Sequence, residues 1–158
     1  LTLTLDLDLD LTVTLILTLT PTLALSQVVA PGVALAAIGE AISRHASSHG
    51  YSVVSHFHGH GIGRAFHEMP LVPHSRAHPL AKGVTLQEGM VITIEPMLNA
   101  GRPELRFLQD GWTAVTADGS LSAQWEHTVA VTATGYEILT LRRGERALHV
   151  FAPPSSKV

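Results

Sequence analysis

Two stretches limit the choice of fold more than any other feature: Met90-Val91-Ile92-Thr93-Ile94-Glu95 and Leu121 to Thr132. Both alternate with the two-residue period of a strand. Met90, Ile92 and Ile94 then share one face, and Val91, Thr93 and Glu95 share the other. In the second run Gln124, Glu126, Thr128 and Ala130 share a face. Each run therefore sets a carboxylate among residues that read as sheet core. A buried carboxylate is costly unless it is paired or bound to a cation. An outward-facing strand glutamate is the simpler alternative for one such residue, and two of them weaken it.

The stretch His58 to Glu68 supplies the complement. It carries His60 and His67, with Gly59, Gly61 and Gly63 around the first. Imidazole is the commonest metal ligand and exchanges protons near neutral pH. Glycine permits close backbone approach or a positive φ. His60, Glu95 and Glu126 make a set of one nitrogen and two oxygens suited to a hard-to-borderline divalent ion. A rival set is His56, His58 and His60, which would share a face of one strand and bind zinc through imidazole alone. His127 should point away from Glu126 and read as structural. His45, His49, His78 and His149 carry no signal of their own.

Along the chain, residues 1–26 stand apart. Leu and Thr alternate with Asp6, Asp8 and Asp10 in a low-complexity run longer than an ordinary strand. A helix is expected after Pro31-Gly32, with Leu35, Ile38, Ala41, Ile42 and Ala46 on its apolar stripe and Gly50 as its stop. Tyr51 to His56 reads as a strand, followed by a glycine-rich turn. Residues 69–89, interrupted by Pro70, Pro73 and Pro79, read as a loop. Leu105 to Leu108 and Trp112 to Thr116 should pair as a hairpin around Asp110-Gly111. Leu121 to Thr132 reads as one long strand, and Tyr136 to Thr140 as the last. The division expected is 1–26, a catalytic region at 27–146 and a tail at 147–158. Strands with one helical segment give an α+β class.

The 158 residues carry a net charge of −3, and 15% are charged, which argues against a nucleic-acid surface. Cysteine is absent, so disulfides and thiolate zinc sites are excluded. No apolar run is long enough for a membrane helix. The first basic residue is Arg44, so no secretory or transit signal is expected. A cytoplasmic location is the expectation.

The ordered motifs Gly59-His60-Gly61-Ile62-Gly63-Arg64, Phe66-His67-Glu68, Thr93-Ile94-Glu95-Pro96-Met97, Asp110-Gly111-Trp112-Thr113 and Ser122-Ala123-Gln124-Trp125-Glu126-His127-Thr128 resemble type I methionine aminopeptidase. The resemblance runs from about Val29 to about Arg143 and covers the C-terminal half of that family's catalytic domain. It implies half of a "pita-bread" fold, largely antiparallel sheet, and removal of initiator methionine from the N-termini of nascent polypeptides. It also implies a divalent metal: cobalt, manganese, iron or zinc. His60, Glu95 and Glu126 match metal ligands, His67 the histidine that contacts the scissile amide, and Phe66 and Trp112 the walls of the methionine pocket. The family's two aspartate ligands have no counterpart, since no Asp lies between Asp10 and Asp110. Met69 stands where an acidic residue is usual. One ion rather than two is therefore expected. The alternatives are an inactive fragment or metal-binding module and a proline-specific relative of the same fold.

Overall fold

The computed structural model describes residues 28–141 and 143. The expectations for residues 1–26, with their three aspartates, and for the tail with His149 fall outside the described residues. Among the described residues, the helix α1 (Ala36–Ser48) precedes ten strands. These are β1 (Ser52–Val53), β2 (His58–Gly61), β3 (Glu68–Pro73), β4 (Val91–Ile94), β5 (Met97–Asn99), β6 (Leu105–Phe107), β7 (Ala114–Thr116), β8 (Ser122–Gln124), β9 (His127–Thr132) and β10 (Gly135–Ile138). A five-stranded antiparallel sheet has the order β10-β9-β4-β2-β3; a three-stranded sheet has the order β1-β5-β8; β6 and β7 form a separate hairpin.

The helix forms where the apolar spacing places it. Leu35, Ile38, Ile42 and Ala46 are fully buried. Leu35, Ile38 and Ile42 join Val72, Ile92, Ile94, Val129 and Val131 in the main core, so the helix covers one face of the five-stranded sheet. Ala46, near its end, packs in a second cluster with Leu98, Val53 and Trp125 against the smaller sheet. Gly50 then turns the chain with φ +79°. No atom lies within 4 Å of a Cβ added there, so only the backbone resists substitution. Gly50→Ala is expected to cost about 1 kcal/mol of stability through the left-handed conformation alone. Urea unfolding would measure it, and an unchanged midpoint would refute it.

Three strand expectations need correction. The stretch 121–132 is two strands in different sheets, β8 and β9, separated at Trp125-Glu126. Its neighbour breaks at the matching place, with β4 in the large sheet and β5 in the small one, separated at Glu95-Pro96. Pro96 lacks the N–H that would continue the ladder. Secondly, the glycine-rich segment is strand β2 rather than a turn, and the strand expected over 51–56 is confined to Ser52–Val53. Thirdly, residues 68–73 form β3 despite Pro70 and Pro73. β3 is the outermost strand of its sheet, where a missing N–H is tolerated. The 105–116 hairpin forms as expected.

Candidate active site

The paired breaks build the site. Ile94 pairs with His127 in the large sheet, and Met97 pairs with Gln124 in the small one. The register is the same on either side, so carrying it across the gap sets Glu95 opposite Glu126. Leaving the ladder at this point frees both carboxylates from the sheet faces. His60 reaches the same place from β2, which pairs with β4 on the other side. A cleft of about 610 Å³ is lined by His60, His67, Phe66, Glu95 and Glu126, with His58 beside them.

The glycines around His60 serve close packing, not a turn. A Cβ at Gly59 would overlap the Thr93 carbonyl on β4, and one at Gly61 would lie 2.5 Å from the Met69 carbonyl oxygen on β3. Bare backbone lets β2 sink between its neighbours and buries His60 to 7% exposure.

Thr93 organises the donors. Its hydroxyl accepts the His60 N–H at 2.9 Å and donates to Glu95 Oε1 at 2.8 Å. Gln124 Nε2 reaches Glu95 Oε2 at 3.4 Å. The Glu95 N–H donates to His74 Nε2 at 3.2 Å. His60 Nδ1 lies 2.9 Å from the Gly61 carbonyl oxygen, which can only accept, so Nδ1 carries the proton. The lone pair is then on Nε2, which stands 3.8 Å from Glu95 Oε1. A ring N–H held by a backbone carbonyl is the usual support for a metal-ligating imidazole.

Burial lifts the Glu95 carboxyl above the ordinary carboxylate range. Thr93's hydrogen bond opposes the lift, the Glu126 carboxylate adds to it, and His60 and His67 oppose it more weakly. Glu126 is thus close enough to be felt electrostatically, although it is exposed. A cation between the two carboxylates would relieve both burial and repulsion, so the donor set fits a divalent ion in chemistry. Among the described residues, no three His, Cys, Asp or Glu side chains are already grouped as a metal site.

His67 is exposed, with its ring centroid 4.2 Å from that of His60 at 60°. Phe66 is 5.5 Å from the His60 ring and, with Met69 and Leu71, gives the cleft an apolar wall. Trp112 does not join them. Asp110 accepts the Trp112 N–H at 3.0 Å, the Thr113 N–H at 2.9 Å and the Thr113 hydroxyl at 2.5 Å. That closes the β6–β7 turn and leaves Trp112 88% exposed, outside the cleft lining. His127 is structural, as its strand position implied: it is buried, accepts from Trp125 Nε1 at 3.2 Å and lies 3.1 Å from Thr140 Oγ1. Thr93 and His74 were not foreseen as site residues. The alternation that puts Thr93 on the face of Glu95 was a usable signal; His74 had none beyond lying in a histidine-rich stretch.

An imidazole and two carboxylates thus line one cleft where strands pass between sheets. The sequence profile of Metallopeptidase family M24 matches residues 15–133, and the chain belongs to that family. Methionine aminopeptidase of Salmonella typhimurium is 55% identical over 119 residues, covering 75% of this chain and 44% of that protein. The Escherichia coli K12 methionine aminopeptidase is 51% identical over the same shares. The chain thus spans less than half the length of these curated relatives. Among solved structures, methionine aminopeptidase from Rickettsia prowazekii superposes with a TM-score of 0.77 at 44% identity, over 85% of this chain and 53% of that one. Prolidase from Pyrococcus furiosus shares the fold at a TM-score of 0.64 and 22% identity. The described fold is therefore the α+β pita-bread type. None of the described helices is long and apolar enough to cross a membrane.

Proposed function

We propose that this chain carries part of a metalloaminopeptidase that removes N-terminal methionine from nascent polypeptides in the cytoplasm. The observation that carries the reading is His60 Nε2 facing the Glu95 carboxylate at 3.8 Å, with Glu126 lining the same cleft. His60, Glu95 and Glu126 would hold one divalent ion of the manganese, cobalt, iron or zinc kind. When bound, such an ion polarises a peptide carbonyl and acidifies water.

The chain's own groups do the rest. Glu95, its proton affinity raised by burial, accepts and returns a proton within the cleft. His67 stands at the open side, where it can donate to the scissile amide. Phe66, Met69 and Leu71 receive the methionine side chain, since thioether and aromatic ring attract each other. Trp112 is not needed for this arrangement.

One observation favours the second reading, a metal-binding module with little turnover. Phe66 is 69% and Met69 75% exposed, so the apolar wall covers a bound side chain poorly. The expected result is therefore slow, manganese- or cobalt-dependent release of methionine from a Met-Ala-Ser peptide, lost in Glu95→Gln. Metal binding without any release would establish the module instead. Cleavage of an X-Pro dipeptide in place of Met-Ala-Ser would overturn the methionine assignment.

A further inference from the structure

Residues 62–67 connect β2 to β3 and carry Phe66 and His67 to the cleft. Residues 63–67 are all exposed, so burial gives this stretch little hold. Ile62 is still tied to the sheet, its N–H donating to the Val91 carbonyl at 2.8 Å. Beyond it the chain turns on itself, and the Gly63 N–H donates to the Ala65 carbonyl at 3.2 Å. The loop rejoins the sheet at Glu68, which pairs with Gly61 where the β2–β3 register shifts.

The Glu68 side chain folds back over this loop. Its Oε1 accepts the Ala65 N–H at 2.7 Å. A backbone N–H bonded to a carboxylate is held more strongly than one bonded to a neutral acceptor. The same head group lies against Gly63, where an added Cβ would overlap the carboxylate and stand 2.8 Å from Cδ. The φ of Gly63 is not positive, so this contact, and not the backbone, calls for glycine. Glu68 is half-buried and lines the cleft. With the loop held in this way, the His67 ring stands 4.2 Å from that of His60 and edge-on to Phe66 at 4.7 Å.

We propose that Glu68 is a positioning residue: its carboxylate, seated on Gly63 and bonded to Ala65, holds the β2–β3 loop so that His67 and Phe66 face the cleft. That these two groups serve a substrate rests on the function proposed above; that Glu68 holds them does not. The role requires no contact between Glu68 and an ion or a peptide. A reacting group misplaced by about 1 Å can cost on the order of 100-fold in rate, so one bond in an exposed loop is enough to matter. The donors for the ion are fixed elsewhere, with His60 and Glu95 tied through Thr93. Turnover and metal affinity should therefore separate.

The test compares Glu68→Ala, Glu68→Gln and Gly63→Ala in the 158-residue chain. Gln keeps an oxygen acceptor for the Ala65 N–H. Gly63→Ala leaves Glu68 in place but fills its seat, and the carboxylate, at the end of a flexible side chain, must move. NMR of the metal-free chain reads the clamp without ion or substrate. The His67 ring protons feel the rings of His60 and Phe66, and the Ala65 amide is protected by its bond; the buried His74 ring reports that each variant is folded. Glu68→Ala and Gly63→Ala should both shift the His67 resonances and speed Ala65 exchange at least about tenfold, while Glu68→Gln stays near wild type. In the double variant Gly63→Ala should add little to Glu68→Ala, since the group it displaces is gone. In manganese-dependent release of methionine from Met-Ala-Ser, Glu68→Ala should lower kcat at least about tenfold with manganese affinity unchanged, and Glu68→Gln should restore most of it. His67 resonances and Ala65 exchange left unchanged by Glu68→Ala would overturn the proposal, as would a loosened loop with kcat intact. A wild-type chain that releases no methionine would overturn the aminopeptidase function instead, and the NMR comparison would still decide whether Glu68 holds the loop.

Discussion

Replacing His60 with alanine is expected to weaken manganese or cobalt binding by more than about a hundredfold. The scale comes from support residues, whose loss alone costs about 10- to 100-fold in metal affinity. His60 would be lost as a ligand, not as a support. Its Nε2 is the one neutral nitrogen in the proposed set, with a lone pair already directed by the Nδ1–H bond to Gly61. Glu95, held by Thr93 and Gln124, and the exposed Glu126 would then have to hold the ion without the imidazole.

Thr93→Val makes the companion test. It keeps the shape of the side chain but removes the hydroxyl that ties the His60 backbone to Glu95 Oε1. It should fall in the lower, support-residue range, about 10- to 100-fold. Asp110→Ala acts on the β6–β7 turn, outside the cleft lining, and should loosen the hairpin without moving metal affinity. Calorimetric titration of the four proteins ranks them. If His60→Ala binds manganese as wild type does, the cleft is not the metal site.

The sequence made some of this arrangement legible and hid the rest, for physical reasons. The α1 stripe was readable because an amphipathic helix repeats its pattern over several turns, and Leu35, Ile38 and Ile42 are buried as the spacing required. The alternation of 91–94 likewise placed Ile92 and Ile94 in the core. Strand breaks were not readable, because alternation continues unchanged through them. Trp125 and Glu126 keep the two-residue rhythm while the backbone passes from one sheet to another. The prolines of β3 misled for a related reason. A proline marks a missing donor, and only the sheet order says whether that donor was needed.

Among the site residues, His60, Glu95, Glu126, His67 and Phe66 all line one cleft. Motif order foresaw that gathering, and periodicity alone could not have done so. Trp112 shows the converse. Its motif has a visible structural task, the closure of a turn by Asp110, and that task sends the ring into solvent.

Acid should destabilise this fold well above the carboxylate range, and His74 is the main reason. The ring is 2% exposed, and its Nε2 accepts the Glu95 N–H at 3.2 Å, a bond that requires an unprotonated nitrogen. Burial, with His58 nearby, depresses the His74 pKa from 6.5 to about 3. The folded state therefore resists a proton that the unfolded chain takes up at about pH 6.5. Stability is intact above that value and falls as pH drops from 6.5 toward 3, at about 1.4 kcal/mol per pH unit. By pH 4.5 the loss is roughly 2–3 kcal/mol. His45 and His58, also depressed by burial first, lose stability in the same direction. Glu95 works against them: its raised pKa means the fold takes up that proton more readily than the unfolded chain does, so acidification relieves it. Asp110 and Asp118, held low by hydrogen bonds, contribute only as pH falls below their ordinary value of 3.8. The window from pH 6.5 to 4.5 thus excludes these aspartates and leaves the imidazoles, with Glu95 opposing them. His74→Gln keeps an acceptor for the Glu95 N–H and cannot be protonated, so its urea-unfolding free energy should fall less steeply across that window. The difference in slope between the two proteins measures His74 alone, since every other group is common to both. Parallel lines would mean that His74 binds its proton as readily inside the fold as in water.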